Sequence, residues 1–354
     1  MLLSRELRVT LVAPKSAVTG GFYRMGAALR AMHPPSGVRY TVTQRSKIVS
    51  PRYDKYEVSP VTFIYWLGTT VSDHLRTRAD GDLIHAFFWD YFNPWRPWIH
   101  ENDSSLSQYL SGYFGFNKKV FEKALRIGTT ILNAESCRRV IAWSEHAKRG
   151  LVADGVRPEK IEVIPPPVPL SKKAEKVDDG FTMTYIGRDY RRKGGDFVLR
   201  AFREISKVYP NTRLNFLGPI DDPELKSWVA SDPRISVADF MLNADIRRRV
   251  YPYTDLLLMP SRAEAFGLTV VEAMSYGIPV LVSDLPVLRE IVGGNEQFYF
   301  KTNNFGEFVS KIRLLVEDES LRSQAGNALQ TAVAERYSPE VVNPRLLGVY
   351  EKAL

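Results

Sequence analysis

Two short apolar runs, Leu256–Met259 and Val280–Ser283, are separated by one loop and one helical pattern. A strand, a helix and a strand in that order force the strands parallel, because the crossover returns the chain to the same end of the sheet. The same alternation recurs along the chain. Apolar runs at Arg8–Ala13, Tyr40–Gln44, Leu83–Phe88, Pro97–His100, Val140–Ser144 and Ile161–Ile164 predict six strands in the first half. Thr182–Ile186, Arg213–Leu217, Ile235–Val237, Leu256–Met259, Val280–Ser283 and Phe298–Phe300 predict six in the second. Between the first two of these, Phe197, Ala201, Phe202, Ile205 and Val208 recur at helical spacing and predict a helix over Asp196–Tyr209. The fold class this implies is α/β, with parallel sheets covered by helices on both faces.

A length of 354 residues exceeds one ordinary core and suits two Rossmann-like domains. Pro165-Pro166-Pro167-Val168-Pro169 cannot be helix or central strand, so it marks the boundary as a stiff linker. That predicts domains 1–168 and 169–337, with a last helix over about 338–354. The single cysteine, Cys137, excludes an internal disulfide and any multi-cysteine metal site, which fits a reducing, cytoplasmic compartment. The charged opening MLLSRELRVTLVAP reads as a first strand rather than a signal peptide. The longest uncharged run, Val58 to Ser72, is too short and polar to span a bilayer.

Residues 1–168 carry 23 Lys/Arg against 15 Asp/Glu, whereas residues 169–354 carry 25 of each, so the whole net charge of +8 belongs to the first half. That half also holds Trp66, Trp89, Trp95, Trp98 and Trp143. The combination admits two readings: an anionic partner such as a phosphorylated lipid, an acidic glycan or an anionic membrane surface, or variation in surface charge without a partner. No nucleic-acid motif accompanies it.

The chemistry gathers where the strands end, since open parallel sheets bind ligands at their carboxyl edge. After Met259 come Glu264 and Gly267, then a helix carrying Glu272, closed by Gly277-Ile278-Pro279. The first N–H groups of a helix suit a phosphate, and flanking carboxylates accept bonds from hydroxyls. Phosphate with hydroxyls on either side describes a sugar nucleotide. After Ile186 come Gly187, Arg188, Arg191, Arg192, Lys193, Gly194 and Gly195, where arginine can grip two phosphate oxygens and lysine one. A solvated basic loop is the alternative there. After the first strand, Gly20-Gly21 lets backbone approach a ligand, without the spacing of a nicotinamide fingerprint. Asp80-Gly81-Asp82 has the form of a metal-binding Asp-x-Asp but precedes a strand, so it reads as a turn, and no metal is expected.

PSRAEAFGL…VVEAMSYGIPVL resembles the glutamate–seven–glutamate motif of retaining GT-B glycosyltransferases, family four (glycosyl transferases group 1) in particular. The resemblance covers almost the whole chain and is densest at 182–195 and 254–290. It implies a GT-B fold, with two Rossmann-like domains facing a central cleft and the last helix crossing back to the first. It further implies hexose transfer with retention from a UDP- or GDP-linked donor by metal-independent front-face displacement. In that scheme Glu264 binds hydroxyls of the transferring sugar and Glu272 the ribose. Backbone at Phe266, Gly267 and Leu268, with Arg188 and Lys193, holds the diphosphate, and Gly20 and Gly21 form the glycine loop. Ile186-Gly187 and the segment around Asp239-Phe240-Met241 line the base. Where the family often has Gly-Val-Asp after the linker strand, this chain has its proline run, which predicts a smaller domain closure.

On the acceptor side His100, read as a strand end, is the first candidate for contacting the transferring sugar or acceptor, with His85 second; a structural histidine is the alternative for each. Trp89 belongs to the segment His85–Trp98, aromatic enough to serve as core, acceptor platform or membrane contact. The acceptor is a sugar, a phosphosugar or a lipid-linked hydroxyl. Two rivals remain: a family phosphorylase or synthase acting on a sugar phosphate, and a non-catalytic GT-B partner subunit.

Overall fold

The computed structural model describes residues 6–13, 25–44, 79–87, 91–115, 117–175 and 180–354. The chain divides into two units, one of residues 1–167 with 339–354 and one of residues 168–338. Among the described residues each is built on a six-stranded sheet, and every strand pairing is parallel.

In the first unit the strands are β1 (Leu7–Ala13), β2 (Val38–Gln44), β3 (Leu83–Phe87), β4 (Trp98–Asn102), β5 (Cys137–Ala142) and β6 (Ile161–Val163), in the order β2-β1-β3-β4-β5-β6. The helices α1 (Met25–Met32), α2 (Leu106–Phe114), α3 (Glu122–Asn133) and α4 (Glu145–Asp154) accompany them. Several predicted strand limits differ from the structure, and the differences at β4 and β5 have a physical cause. β4 runs through Asn102 rather than ending at His100, because Glu101 and Asn102, polar as they are, are buried and stay in register with β5. β5 starts at Cys137 and stops at Ala142, since the Ser144 hydroxyl must accept from Ala147 N–H to cap α4. Its opening Arg138, exposed, and Arg139, half-buried, hide the strand's beginning from an apolar count.

The C-terminal helix, Pro339–Ala353, belongs to this first unit. Its Val342, Leu346, Val349 and Tyr350 pack with Leu7, Val9, Leu11, Leu83 and Ile99 on one face of the sheet. Val12, Ile84, Trp98, Val140 and Leu151 make the core of the other face.

The second unit holds β7 (Phe181–Ile186), β8 (Thr212–Leu217), β9 (Ile235–Ala238), β10 (Leu256–Met259), β11 (Val280–Ser283) and β12 (Tyr299–Phe300), in the order β12-β11-β10-β7-β8-β9. From β7 the chain steps outward through β8 and β9, returns to β10 beside β7, and steps outward the other way. That is the doubly wound order, and its direction changes between β7 and β10. The helices are α5 (Gly195–Val208), α6 (Pro223–Ser231), α7 (Asn243–Arg249), α8 (Leu268–Ser275), α9 (Pro286–Val292), α10 (Phe305–Glu317) and α11 (Glu319–Arg336). Of the predicted apolar face of α5, Ala201, Phe202 and Ile205 are buried, together with Val198 and Leu199, whereas Phe197 is half-buried and Val208 is exposed near the helix end.

Candidate donor site at the β7–β10 switch point

The loops leaving β7 and β10 meet at the switch point. Gly187 continues the ladder by donating its N–H to Leu217 O at 2.8 Å. A Cβ there would lie 2.4 Å from the Tyr185 hydroxyl oxygen, so only glycine fits. One helical turn then brings Lys193 back, its N–H donating to Asp189 O at 2.9 Å. Gly194 follows with φ +73°, and a Cβ on it would stand 2.2 Å from Pro260 O in the other loop. These glycines allow the two backbones to touch.

Three arginine and lysine side chains fasten the loops together. Lys193 Nζ pairs with the Glu264 carboxylate, both heads nearly buried. Arg192 donates to Asp189 Oδ2 and to Ala263 O, both at 2.9 Å, while its own carbonyl accepts from Arg262 N–H at 2.7 Å. Arg262 in turn grips Asp196, in the first turn of α5, with two bonds of 2.8 Å. Paired guanidinium–carboxylate geometry of this kind is stiff as well as strong. Burial lowers the pKa of Lys193, opposed by the adjacent Glu264. Arg188 is exposed at the rim.

Gly267 is the N-cap of α8 at φ +99°, where a Cβ would strike Leu288. The first N–H groups of the helix beyond it have no intrahelical acceptor and lie at its positive end. Leu268 opens the helix, half-buried, while the Phe266 ring is buried edge-on against Tyr337. Any contact of Phe266 with a ligand is therefore through its backbone. Glu272, one turn on, is buried: Asn243 Nδ2 donates to its two oxygens at 2.9 and 3.2 Å and the Tyr251 hydroxyl to Oε2 at 3.1 Å. Burial raises its pKa, against the pull of Asn243.

The structure thus brings Gly187, Arg188, Lys193, Glu264, Gly267, Leu268 and Glu272 to one edge of one sheet. Gly20, Gly21 and Trp89 lie outside the described residues. His100 does not stand at a strand end: it is the middle residue of β4, buried, with its ring edge-on to Trp98. Burial lowers its pKa to about 3. His85 is likewise buried, its Nδ1 2.8 Å from the Tyr350 hydroxyl and its Nε2 2.9 Å from Glu101 Oε2. Arg30 completes that cluster with bonds of 3.2 and 3.3 Å to Glu101 and 3.1 Å to Ile164 O. Both histidines are core members of the first unit. Asp82 of the Asp-x-Asp sequence accepts from Arg8 N–H at 3.0 Å at the entry to β3.

Sequence reasoning found Lys193 and Glu264 but missed the other fastening residues. Arg192 reads as one more charge in a basic run, and its spacing from Asp189 was the one local signal of a role. Nothing local announced Asn243, Tyr251 or Arg262.

Comparison with known proteins agrees with this architecture. A search of solved structures finds the Anabaena HepE protein in complex with UDP and glucose, with a TM-score of 0.67 at 17% identity, covering 98% of this chain and 99% of that one. Sucrose-phosphate synthase from Thermosynechococcus elongatus gives 0.71 at 18%, covering 98% of each. At such identities the likeness concerns the fold, which is that of GT-B glycosyltransferases.

Residues 169–331, nearly the whole of the second unit, match the family model of the glycosyl transferases group 1. A D-inositol 3-phosphate glycosyltransferase of Segniliparus rotundus is 29% identical over 250 residues, 64% of this chain and 55% of the relative. A GDP-mannose:cellobiosyl-diphosphopolyprenol alpha-mannosyltransferase of Xanthomonas oryzae pv. oryzae is 31% identical over 239 residues, 63% of this chain and 60% of the relative. The matched stretch spans little more than half the length of these relatives.

Proposed function

We propose that the protein transfers a hexose with retention from a UDP- or GDP-linked donor to a hydroxyl of a sugar, phosphosugar or lipid-linked acceptor. The observation that carries this is the convergence of Lys193, Glu264 and the glycine-capped start of α8 at the switch point of the second sheet. The leaving diphosphate needs positive charge that does not have to reorganise, and Lys193, Arg188 and the α8 N–H groups supply it without a metal. Glu264 is within reach of Lys193 and of hydroxyls on a sugar beside it. Glu272 takes the ribose. In front-face displacement the departing phosphate oxygen accepts the acceptor's proton, so no second carboxylate opposite the anomeric carbon is required.

The names of the relatives support a nucleotide sugar and leave the base open: the Anabaena structure holds UDP, and the Xanthomonas enzyme is named for GDP-mannose. Acceptor recognition we assign to the first unit, on its basic, aromatic composition. Among the described residues no helix is long and apolar enough to cross a membrane, and a cytoplasmic protein with peripheral contact to anionic lipid is the placement we propose. Thermal unfolding with UDP, GDP and ADP tests the reading. One uridine or guanosine diphosphate should raise Tm while ADP does not, and no shift with any of the three would overturn it.

A further inference from the structure

Asn243 is placed against the usual preference of its residue type. Asparagine at a helix start ordinarily occupies the N-cap, where its side chain accepts from the second or third N–H of the helix. Here the N-cap of α7 is Leu242, which offers no side-chain cap, and Asn243 is the first residue inside. Its amide instead reaches across to Glu272, 29 residues away, donating to both carboxylate oxygens. The helix start thus forgoes a cap that would contribute about 1 kcal/mol.

The bond pattern at Glu272 indicates why. An ionised carboxylate offers about four acceptor positions. Asn243 reaches both oxygens and Tyr251 adds a bond to Oε2, so Oε1 carries the lighter load and has room for a further donor. Asn243 also directly follows the segment Asp239–Leu242, in which Phe240 is 49% and Leu242 44% exposed although both are apolar. One side chain therefore links a buried carboxylate at the donor site to a loop with uncovered apolar side chains.

We infer that Asn243 is a positioning residue for nucleoside recognition: its amide fixes the Glu272 carboxylate so that Oε1 accepts from a ribose hydroxyl, and it ties the 239–242 segment to that same carboxylate. This rests on the reading of Glu272 as the ribose ligand. Tyr251 plays the lesser part, since its hydroxyl reaches only Oε2, which Asn243 also holds.

The test is a ratio of affinities. Dissociation constants for UDP and GDP are measured by calorimetry against those of their 2′,3′-dideoxy analogues, for the wild type, Asn243→Ala, Asn243→Asp and Tyr251→Phe. A bond from a hydroxyl to a charged group is worth roughly 10- to 100-fold in such a ratio. The wild type should show it with one of the two nucleotides. Both Asn243 variants should fall below about 3-fold, and Tyr251→Phe should keep most of it. A ratio within one preparation cancels any loss of folded protein, which a merely structural role for Asn243 would produce. Asn243→Asp keeps the shape while removing the donor, so it answers if Asn243→Ala folds poorly. Full discrimination in both Asn243 variants overturns the inference and leaves the donor site standing. A wild type that binds neither nucleotide, or binds ribose and dideoxyribose forms alike, overturns the reading of Glu272 itself.

Discussion

At the scale of single residues the site is organised by pairs whose members are far apart in sequence. Lys193 and Glu264 are 71 positions apart and share one short contact. A buried lysine held by a carboxylate stays charged and aimed, yet it can turn its remaining N–H groups to a phosphate. Lys193→Ala should therefore reduce transfer by about 100-fold or more, the usual cost of removing one preorganised donor to a developing negative charge. Initial rates with a radiolabelled donor measure it, and an unchanged kcat would remove Lys193 from the mechanism. Gly194 is the second residue to test. At φ +73° an alanine costs about 1–2 kcal/mol from conformation alone, before its contact with Pro260 O. Gly194→Ala should lower the midpoint of denaturant unfolding and loosen donor binding together.

Elements were far easier to read than pairs. The described β-strands of the second unit could be placed from apolar runs, most plainly β10 and β11, because a strand buried on both faces is a continuous run. The first unit was harder where polar residues are buried: Glu101 and Asn102 belong to β4 only because Arg30 and the neighbouring strand satisfy them. The C-terminal helix shows how such burial binds an element. Its Tyr350 hydroxyl lies 2.7 Å from the Tyr40 hydroxyl and 2.8 Å from His85 Nδ1. Tyr350→Phe keeps the ring packed and removes both bonds, leaving the buried His85 Nδ1 without this partner, so it should cost about 1–3 kcal/mol. Arg30→Met strips Glu101 of its cation in a fully buried pair and should cost more, about 3–5 kcal/mol. Equal stabilities for these variants and the wild type in urea titration would show the cluster to be energetically idle.

At the scale of the whole molecule the two units should respond differently to acid. In the first, burial lowers the pKa of His85, and of His100 to about 3, while Arg30 and His85 hold Glu101 down to about 2 against its own desolvation. The unfolded chain takes up the histidine protons near pH 6.5 and the folded unit resists them, so stability present above pH 6.5 is lost on acidification. Glu101 adds a further loss from about pH 4.5 downward. In the second unit Glu272 has the opposite sign, since its raised pKa favours the folded state as the pH falls toward the ordinary carboxylate range. Tryptophan fluorescence reports chiefly on the first half, which holds five of the six tryptophans. Its unfolding midpoint should drop between pH 7 and pH 5, and His100→Leu should flatten that dependence. An unaltered slope in the variant would show that the imidazole is not the group responsible.

The sequence by itself determined the two-sheet α/β plan and the segments that stand at the carboxyl edge. Hydrophobic periodicity and the glycines of a tight loop are local properties, legible within a dozen or so residues. The tertiary structure decided which side chains meet. It paired Lys193 with Glu264, Arg262 with Asp196 and Asn243 with Glu272, and it placed His100 inside the sheet rather than at its edge. Burial and pairing depend on strand order, and strand order brings β7 beside β10, pairing Met183 with Leu256 far along the chain. No local pattern records that distance being closed.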